Sequence, residues 1–167
     1  MTDFHPAEKL IAVSDKSGYT IAILKDILAR CGRSCYHVAP AGEPVPSGMQ
    51  PAVLLLFDAE EAADTTRFAK CVADYGLAVK PELAALQPVT YSTDSDNADF
   101  TARNIRRMPE GFISFEIVGV GVIGRVRLAV PSESSVKMAL AAAAAAIVCG
   151  VPFAEVLDAL NNIKIQN

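Results

Sequence analysis

A turn near the start of the chain has the residue types of a phosphate-binding loop. Residues 13–20 read VSDKSGYT and lie between a short apolar run and a segment with helical spacing. In such a turn, backbone N–H groups and the positive end of the helix dipole face an anion. Phosphate loops also use glycine for close backbone approach, lysine for the β- and γ-phosphates and serine or threonine for magnesium. Here Gly18 and Thr20 are present, but Tyr19 stands at the lysine position.

No second reactive group stands out in the sequence. Three serines precede an alanine-rich segment without a histidine nearby, so a serine nucleophile is not indicated; they are Ser132, Ser134 and Ser135. The cysteines form no C-x-x-C pair, and His5 and His37 give no zinc spacing with them. We therefore predict reduced core thiols, no metal centre and no catalytic residue. The thiols belong to Cys31, Cys35, Cys71 and Cys149.

Composition excludes several classes of protein. Apolar residues make up 51% of the 167 residues and charged residues 20%, which is typical of one globular domain over residues 1–167. The net charge of −4 lacks the basic excess of a nucleic-acid-binding protein. The longest nearly uncharged run, residues 138–152, is shorter than the roughly 20 residues that span a bilayer, and the first residues contain no signal-like apolar stretch. We predict a cytoplasmic protein without nucleic-acid or membrane partners.

The first half of the chain alternates strands and helices. The run 51–57 (PAVLLLF) is apolar throughout, as in strands buried on both faces of a parallel sheet. Apolar residues of the segment 19–30 recur on one helical face, and Gly32 follows as a stop signal. The predicted strands are 9–14, 35–39, 51–57 and 77–79, and the predicted helices are 19–30, 60–75 and 81–86.

The second half has a different pattern. Residues 111–130 contain two β-rich runs around Gly119 and Gly121, which predicts an antiparallel hairpin with Gly124 as a further turn or bulge residue. The alanine run at 141–146 predicts a helix that packs very closely on its neighbours. The other predicted elements are a strand at 89–92, a helix at 98–107 that carries Arg103, Arg106 and Arg107, and helices at 134–149 and 153–162. We expect a three-layer α/β domain with a mostly parallel sheet flanked by helices and a small antiparallel element.

Three segments of this chain resemble the central ATPase domain of the Mur ligases. KLIAVSDKSGYTIAILKDILARCG resembles its strand, T-G-T-N-G-K-T/S loop and helix. VTYSTDSDNADFTARNI is similar to "tyG…ADf.A.NI", and VPSESSVKMALAAAAAAIVCGVPFAEVLDAL to "l.vPG.HNv.NALAA.A.a..lGi..e.i...L". The segments follow the family's order. The resemblance implies a Mur ligase central-domain-like fold, ATP or ADP with magnesium as ligand, and ATP-dependent joining of an acid to an amino acid in peptidoglycan synthesis.

The chain departs from the family at the residues that handle the nucleotide. In the loop, Asp15 replaces a glycine and Tyr19 the lysine. A lost charge-assisted contact to phosphate weakens binding by about 1.5–3 kcal/mol, and Asp15 adds repulsion; Lys16 compensates in part if its side chain points inward. The candidate residues of this remnant loop are Ser14, Lys16, Ser17, Gly18, Tyr19 and Thr20. In the late motif, the family's histidine and two asparagines are replaced by Ser134, Ser135 and Met138.

The middle of the chain is short compared with the family. We find no N-x-D-D equivalent before the "tyG" segment. Asp58, Glu60 and Glu61 follow the central strand and are either a remnant of the family's magnesium-binding glutamate or acids at a solvated helix start. We also expect no counterpart of the family's UDP-sugar domain or its C-terminal domain.

These observations leave three hypotheses. The first is a non-catalytic, degenerate relative that acts through protein or ligand binding, as a homo-oligomer or with another protein. The second is a nucleotide- or phosphate-binding module that keeps weak ATP or ADP binding at the remnant loop. The third is one part of a split ATP-dependent ligase. Because the middle is short, we also expect an exposed sheet edge or apolar face that a dimer interface covers.

Overall fold

A computed structural model describes residues 8–15, 18–57, 67–129 and 134–163. The strands in this part of the chain are β1 (Lys9–Ser14), β2 (Tyr36–Pro40), β3 (Gln50–Leu56), β4 (Lys70–Asp74), β5 (Val89–Ser92), β6 (Phe100–Arg107), β7 (Ile113–Gly119) and β8 (Val122–Leu128). The helices are α1 (Tyr19–Arg30), α2 (Tyr75–Ala78), α3 (Pro81–Ala84), α4 (Ser134–Val148) and α5 (Phe153–Asn162).

The strands form one sheet in the order β2-β1-β3-β4-β5-β6-β7-β8. Pairing is parallel from β2 through to β6 and antiparallel between β6, β7 and β8. Helices α1, α4 and α5 bury apolar side chains against one face, and α2 and α3 do so against the other. The predicted mostly parallel, helix-flanked sheet with a small antiparallel part is confirmed.

The central strands are buried on both faces, as the apolar run 51–57 predicts. On β3, Val53 and Leu55 join the larger core under α1 and α4, whereas Leu54 and Leu56 join a smaller core on the opposite face. Successive strand side chains point to opposite faces of the sheet. A strand in the middle of the sheet with helices or loops over both faces must therefore be apolar at every position.

Helix α4 is the central helix of the larger core. Its alanines at 141–146 are completely buried, and the helix contacts α1, α5 and the strands β3 to β7. A methyl group is the largest side chain that lets a helix lie this close to a sheet and to a second helix at once. The predicted close packing is confirmed.

Two predicted elements around β4 are wrong. Residues 70–74 form a strand between β3 and β5 instead of the end of a helix over 60–75, and residues 58–66 lie outside the described part. The predicted strand at 77–79 is largely the short helix α2, whose start is capped by Asp74: its Oδ1 accepts a hydrogen bond from the Gly76 N–H at 2.8 Å. Pairing with two neighbouring strands has overridden local helix propensity here.

The predicted helix at 98–107 is also wrong, because this segment forms the strand β6. It pairs in parallel with β5 through Phe100 and Thr101 and antiparallel with β7. Ala102 is its buried apolar residue on the core side. Arg103, Arg106 and Arg107 consequently lie along a strand, not on a helix face.

The predicted hairpin is confirmed, but Gly121 and Gly124 have different structural roles. Gly121 lies at the turn with a φ of +70°, which favours glycine. Gly124 pairs regularly with Ile117 and forms no bulge. A Cβ at Gly124 would come within 2.1 Å of Leu157 Cδ1, so the missing side chain lets α5 lie directly on β8.

Candidate functional site

The remnant loop lies where α/β sheets usually bind ligands. From β1 the chain crosses to β2 on one side of the strand, and from β2 it returns to β3 on the other. Ligands of open parallel sheets bind at the carboxyl ends of the strands, at such a switch point. Ser14 is buried at the carboxyl end of β1, and Gly18 begins α1 with a φ of +78°.

A carboxylate of the chain itself occupies the start of α1. The backbone N–H of Thr20 donates a hydrogen bond to Oδ2 of Asp15 at 3.1 Å. The first N–H groups of a helix have no partner within the helix, and a negative charge near them is stabilised by the dipole. Asp15 therefore accepts the hydrogen bond from the Thr20 N–H that a bound phosphate would otherwise accept.

The hydroxyl group of Thr20 is unusual in this site. Thr20 is completely buried, and its Oγ1 has no hydrogen-bond partner among the residues that the structure describes. A buried polar group without a partner costs about 1–3 kcal/mol. This side chain corresponds to the magnesium-binding threonine of a phosphate loop.

Four of the six candidate residues of the loop lie in the described part of the chain. Tyr19 is half-buried in the first turn of α1, at the lysine position. Several residues singled out from the sequence lie outside the described part of the chain, namely His5, Lys16, Ser17, Asp58, Glu60, Glu61 and Ser132. Ser14, Gly18, Tyr19 and Thr20 lie together at the end of β1 and the start of α1.

An ion pair at the same edge of the sheet is not predicted by the sequence pattern. Lys137, in the first turn of α4, places its Nζ 2.8 Å from Oδ2 of Asp74 at the carboxyl end of β4. The same Nζ lies 5.8 Å from the ring centroid of Phe57. Asp74 ends the strand before β5, which is where the resemblance places the missing N-x-D-D pattern. Recognising 70–74 as a strand would have pointed to this acid.

The late motif also lies at this edge, at the start of α4. Ser135 is buried, Met138 is half-buried and Ser134 is exposed. None of these side chains brings the imidazole or amide groups that the resemblance associates with this position. Lys137 is a charged group that the described part of this segment supplies.

Three of the four cysteines are poorly suited to nucleophilic chemistry. All four are free. Burial raises the pKa of the Cys71 thiol to about 11 and that of Cys149 to about 12. Burial, followed by the carboxylate of Glu155, raises the pKa of Cys31. Because the thiolate is the reactive form, these groups are largely inert at neutral pH. The described residues contain no cluster of three or more histidines, cysteines or acids placed to hold a metal.

Comparison with known proteins shows a clear relationship. No family model matches the chain. It is 29% identical over 160 residues to the UDP-N-acetylmuramate–L-alanine ligase of Pelotomaculum thermopropionicum, which covers 81% of this chain and 35% of that protein. The fold of this chain matches that of a ligase from Acinetobacter baumannii with a TM-score of 0.71. That protein is described as UDP-N-acetylmuramoylalanyl-D-glutamyl-2,6-diaminopimelate–D-alanyl-D-alanyl ligase. This chain is a relative of the Mur ligases.

The Mur ligase relationship covers most of this chain but only part of its relatives. The match to the Acinetobacter baumannii ligase covers 93% of this chain and 46% of that protein, at 16% identity. The pseudomurein peptide ligase type C of Methanothermus fervidus gives a TM-score of 0.67 at 16% identity, over 95% of this chain and 49% of that protein. The chain thus spans about a third of the length of the curated Mur ligase it matches and about half of the solved ones.

No helix in the part of this Mur ligase relative that the structure describes is long and apolar enough to cross a membrane.

Proposed function

We propose that this chain is a Mur ligase-like domain that does not ligate and instead acts by binding, in a role linked to peptidoglycan precursors. Its partner is a second copy of the chain or another protein. The hydrogen bond from the Thr20 N–H to the Asp15 carboxylate is the main support. This contact gives the start of α1 an internal anion at the place where phosphate loops receive a phosphate.

A nucleotide would have to displace this carboxylate or bind beside it. Two unit charges about 4 Å apart repel by about 1 kcal/mol in a water-like medium and by about 4 kcal/mol at an effective dielectric constant of 20. Tyr19 brings no compensating charge to the position where phosphate loops carry lysine. The loop therefore disfavours both binding of ATP and stabilisation of a transferring phosphoryl group.

Titration of Mg-ATP and Mg-ADP by calorimetry, together with an assay of Mg-ATPase activity, tests the proposal. We expect no turnover and no saturation below millimolar nucleotide for the unmodified chain. The double variant Asp15→Gly/Tyr19→Lys, which removes the internal anion and restores the cation, should gain binding. Asp26→Ala removes an exposed carboxylate from the same helix away from its start and should change nothing. Mg-ATPase activity that disappears in Thr20→Ala would overturn the proposal.

A second function, a module that binds nucleotide or phosphate without turnover, is favoured by the Thr20 hydroxyl. An unpartnered buried hydroxyl in this position is ready to accept a ligand or a hydrated cation. Thr20→Val keeps the shape of the side chain and removes the hydroxyl, so the free energy of unfolding should stay the same or rise. Micromolar binding of Mg-ATP by the unmodified chain, weakened in Thr20→Val, would make this second function the better account.

A further inference from the structure

The antiparallel part of the sheet carries an unusual concentration of arginine. Residues 100–128 hold five arginines, no lysine and only two acids, although the chain as a whole carries a net charge of −4. All five arginines are exposed. This positive surface lies on β6–β8 and is separate from the remnant loop at the end of β1.

The arginines form an ordered arrangement because the strands are in register. In one row, Arg103 and Arg125 flank Glu116; in the next row, Arg106 and Arg127 flank Ser114. Ile113, Phe115 and Ile117 of β7 point into the core, so the alternate residues of that strand point to the opposite side. Neighbouring strands lie about 4.8 Å apart, which spaces the two arginines of each row by about 10 Å. We call the side formed by Arg103, Arg106, Arg125 and Arg127 the arginine face.

Acids of the chain pair with three of the four arginines of the arginine face. Arg103 lies 3.1 Å from Asp96, and Arg127 lies 3.0 Å from Glu110. Arg125 makes a longer ion pair of 3.5 Å with Glu116, and both groups are solvent-accessible. Within the described residues, no carboxylate pairs with Arg106. Arg106 therefore keeps its guanidinium group for an outside ligand, and Arg125, with 76% of its side chain exposed, stays accessible to one.

A groove of about 240 Å³ runs through this centre. Its lining includes Asn104, Arg106, Met108, Ser114, Glu116 and Arg125, and the Asn104 Nδ2 donates a hydrogen bond to Glu116 Oε2 at 3.2 Å. Asn104 has a φ of +53° at an irregularity of β6, where the pairing register shifts between Arg103 and Arg106. Such bulges redirect side chains and are common beside binding sites. The groove thus joins two guanidinium groups, one carboxylate, amide and hydroxyl groups and a thioether.

Apolar side chains lie between and beside these charges. Ile123 on β8 is 65% exposed, and Ile105 and Met108 are each more than a third exposed. Arginine and methionine are enriched at protein interfaces. None of the outward side chains of β6–β8 is aromatic, and the ring of Phe112, just before β7, is covered by the Arg127 guanidinium at 4.4 Å. The face therefore differs from the open stacking platforms that bind single-stranded nucleic acid, and the rest of the chain is too acidic to favour a duplex.

We propose that the arginine face is a docking surface for a protein segment that carries carboxylates on both sides of an apolar stretch. The carboxylates pair with Arg106 and Arg125, which can each give bidentate hydrogen bonds, and the apolar stretch covers Ile123 and Met108. This inference rests on the proposal that the domain acts by binding, but it uses a different surface from the remnant loop.

Amide chemical shifts of the isotope-labelled protein test the docking surface. The probe is a short peptide with glutamates at both ends and leucines between them, and the matched control peptide has glutamine in place of glutamate. We expect the glutamate peptide to shift the amides of β6–β8 with a dissociation constant of about 1 mM or lower. Binding should weaken with added salt, since the contacts are exposed charges. The glutamine peptide should bind much more weakly.

Variants assign the binding to the arginine face. Arg106→Gln and Arg125→Gln should each raise the dissociation constant about three- to tenfold. Arg30→Gln removes an exposed arginine from α1 and should leave the dissociation constant unchanged. Unchanged chemical shifts of the β6–β8 amides, or equal binding of both peptides, would overturn the proposal. Displacement of the peptide by a DNA duplex at lower concentration would show that the partner is the wrong class of molecule. Binding of Mg-ATP would shift the amides of Gly18–Thr20 instead, so failure of the docking surface is distinguishable from failure of the non-ligase function.

Discussion

The side chain of Asn161 is hydrogen-bonded to the backbone of the edge strand β8 on both sides of Val126. Its Oδ1 accepts from the Arg127 N–H at 2.8 Å, and its Nδ2 donates to the Arg125 carbonyl at 3.2 Å. Unpaired groups along an edge strand invite pairing with another chain. One amide side chain on α5 thus occupies two of the backbone groups through which β8 would extend the sheet.

We expect Asn161→Ala to lower the free energy of unfolding by about 1–2 kcal/mol and to promote self-association through β8. Denaturant unfolding and sedimentation measure the two effects. Asn162→Ala is the matched control, because the Asn162 side chain donates its hydrogen bonds within α5, to the Asp158 carbonyl and carboxylate. A monomeric Asn161→Ala with unchanged stability would show that these contacts do not protect the edge.

The Asp15 cap should stabilise α1. Asp15→Ala removes the acceptor of the Thr20 N–H and should cost about 1 kcal/mol in the free energy of unfolding. Asp15→Asn keeps an acceptor oxygen and loses the charge, so it should cost only the dipole interaction, about 0.3–1 kcal/mol. Urea unfolding of both variants separates the contribution of the hydrogen bond to stability from that of the charge. Equal stability of all three proteins would contradict a capping role.

The buried alanines of α4 should not tolerate larger side chains. Ala143 is completely buried, so Ala143→Leu must displace neighbours and should lower stability by about 1–3 kcal/mol. Ala22→Leu introduces the same side chain at an exposed position of α1 and should be nearly neutral. Thermal unfolding followed by circular dichroism compares them. Similar melting temperatures for the two variants would disprove tight packing around α4.

The Cys71 thiol should make stability depend on pH in the alkaline range. Burial raises its pKa from 9.0 to about 11, so the folded protein holds a proton that the unfolded chain releases. The contribution of this group to stability is complete below pH 9 and is lost as the pH rises towards 11. Cys71→Ser removes the ionisable thiol, so its unfolding free energy should fall less steeply between these pH values. Parallel pH profiles for the two proteins would refute the linkage.

Elements with a strong local pattern were predictable from the sequence, and strands defined by pairing on both sides with neighbouring strands were not. The hairpin of β7 and β8 and the alanine helix α4 carry their own turn, period and stop signals. β4 and β6 are strands because each pairs with strands formed elsewhere in the chain, and neither carries a clear strand period. The local pattern consequently predicts a helix for the segment that carries the arginines of β6.

The same distinction applies to the candidate site. The residue types of the remnant loop, Gly18 and Thr20 with Tyr19 in place of lysine, are readable directly, as is the negative charge of Asp15. The hydrogen bond by which Asp15 caps α1 depends on the fold of the turn and was not foreseen. The ion pair of Lys137 and Asp74 was missed because it joins α4 to the end of a strand that sequence reasoning took for a helix.

Helix α4 also fixes when the domain can be completed during synthesis. It contacts β3, β4, β5, β6 and β7, and every one of these strands precedes it along the chain. A ribosome therefore releases most of the sheet before it makes the helix that covers the larger core. Until then the apolar face of the nascent sheet is open to water, to chaperones and to other nascent chains. Emergence of the alanine helix and of α5 behind it, and not of the strands, is the event that closes the core.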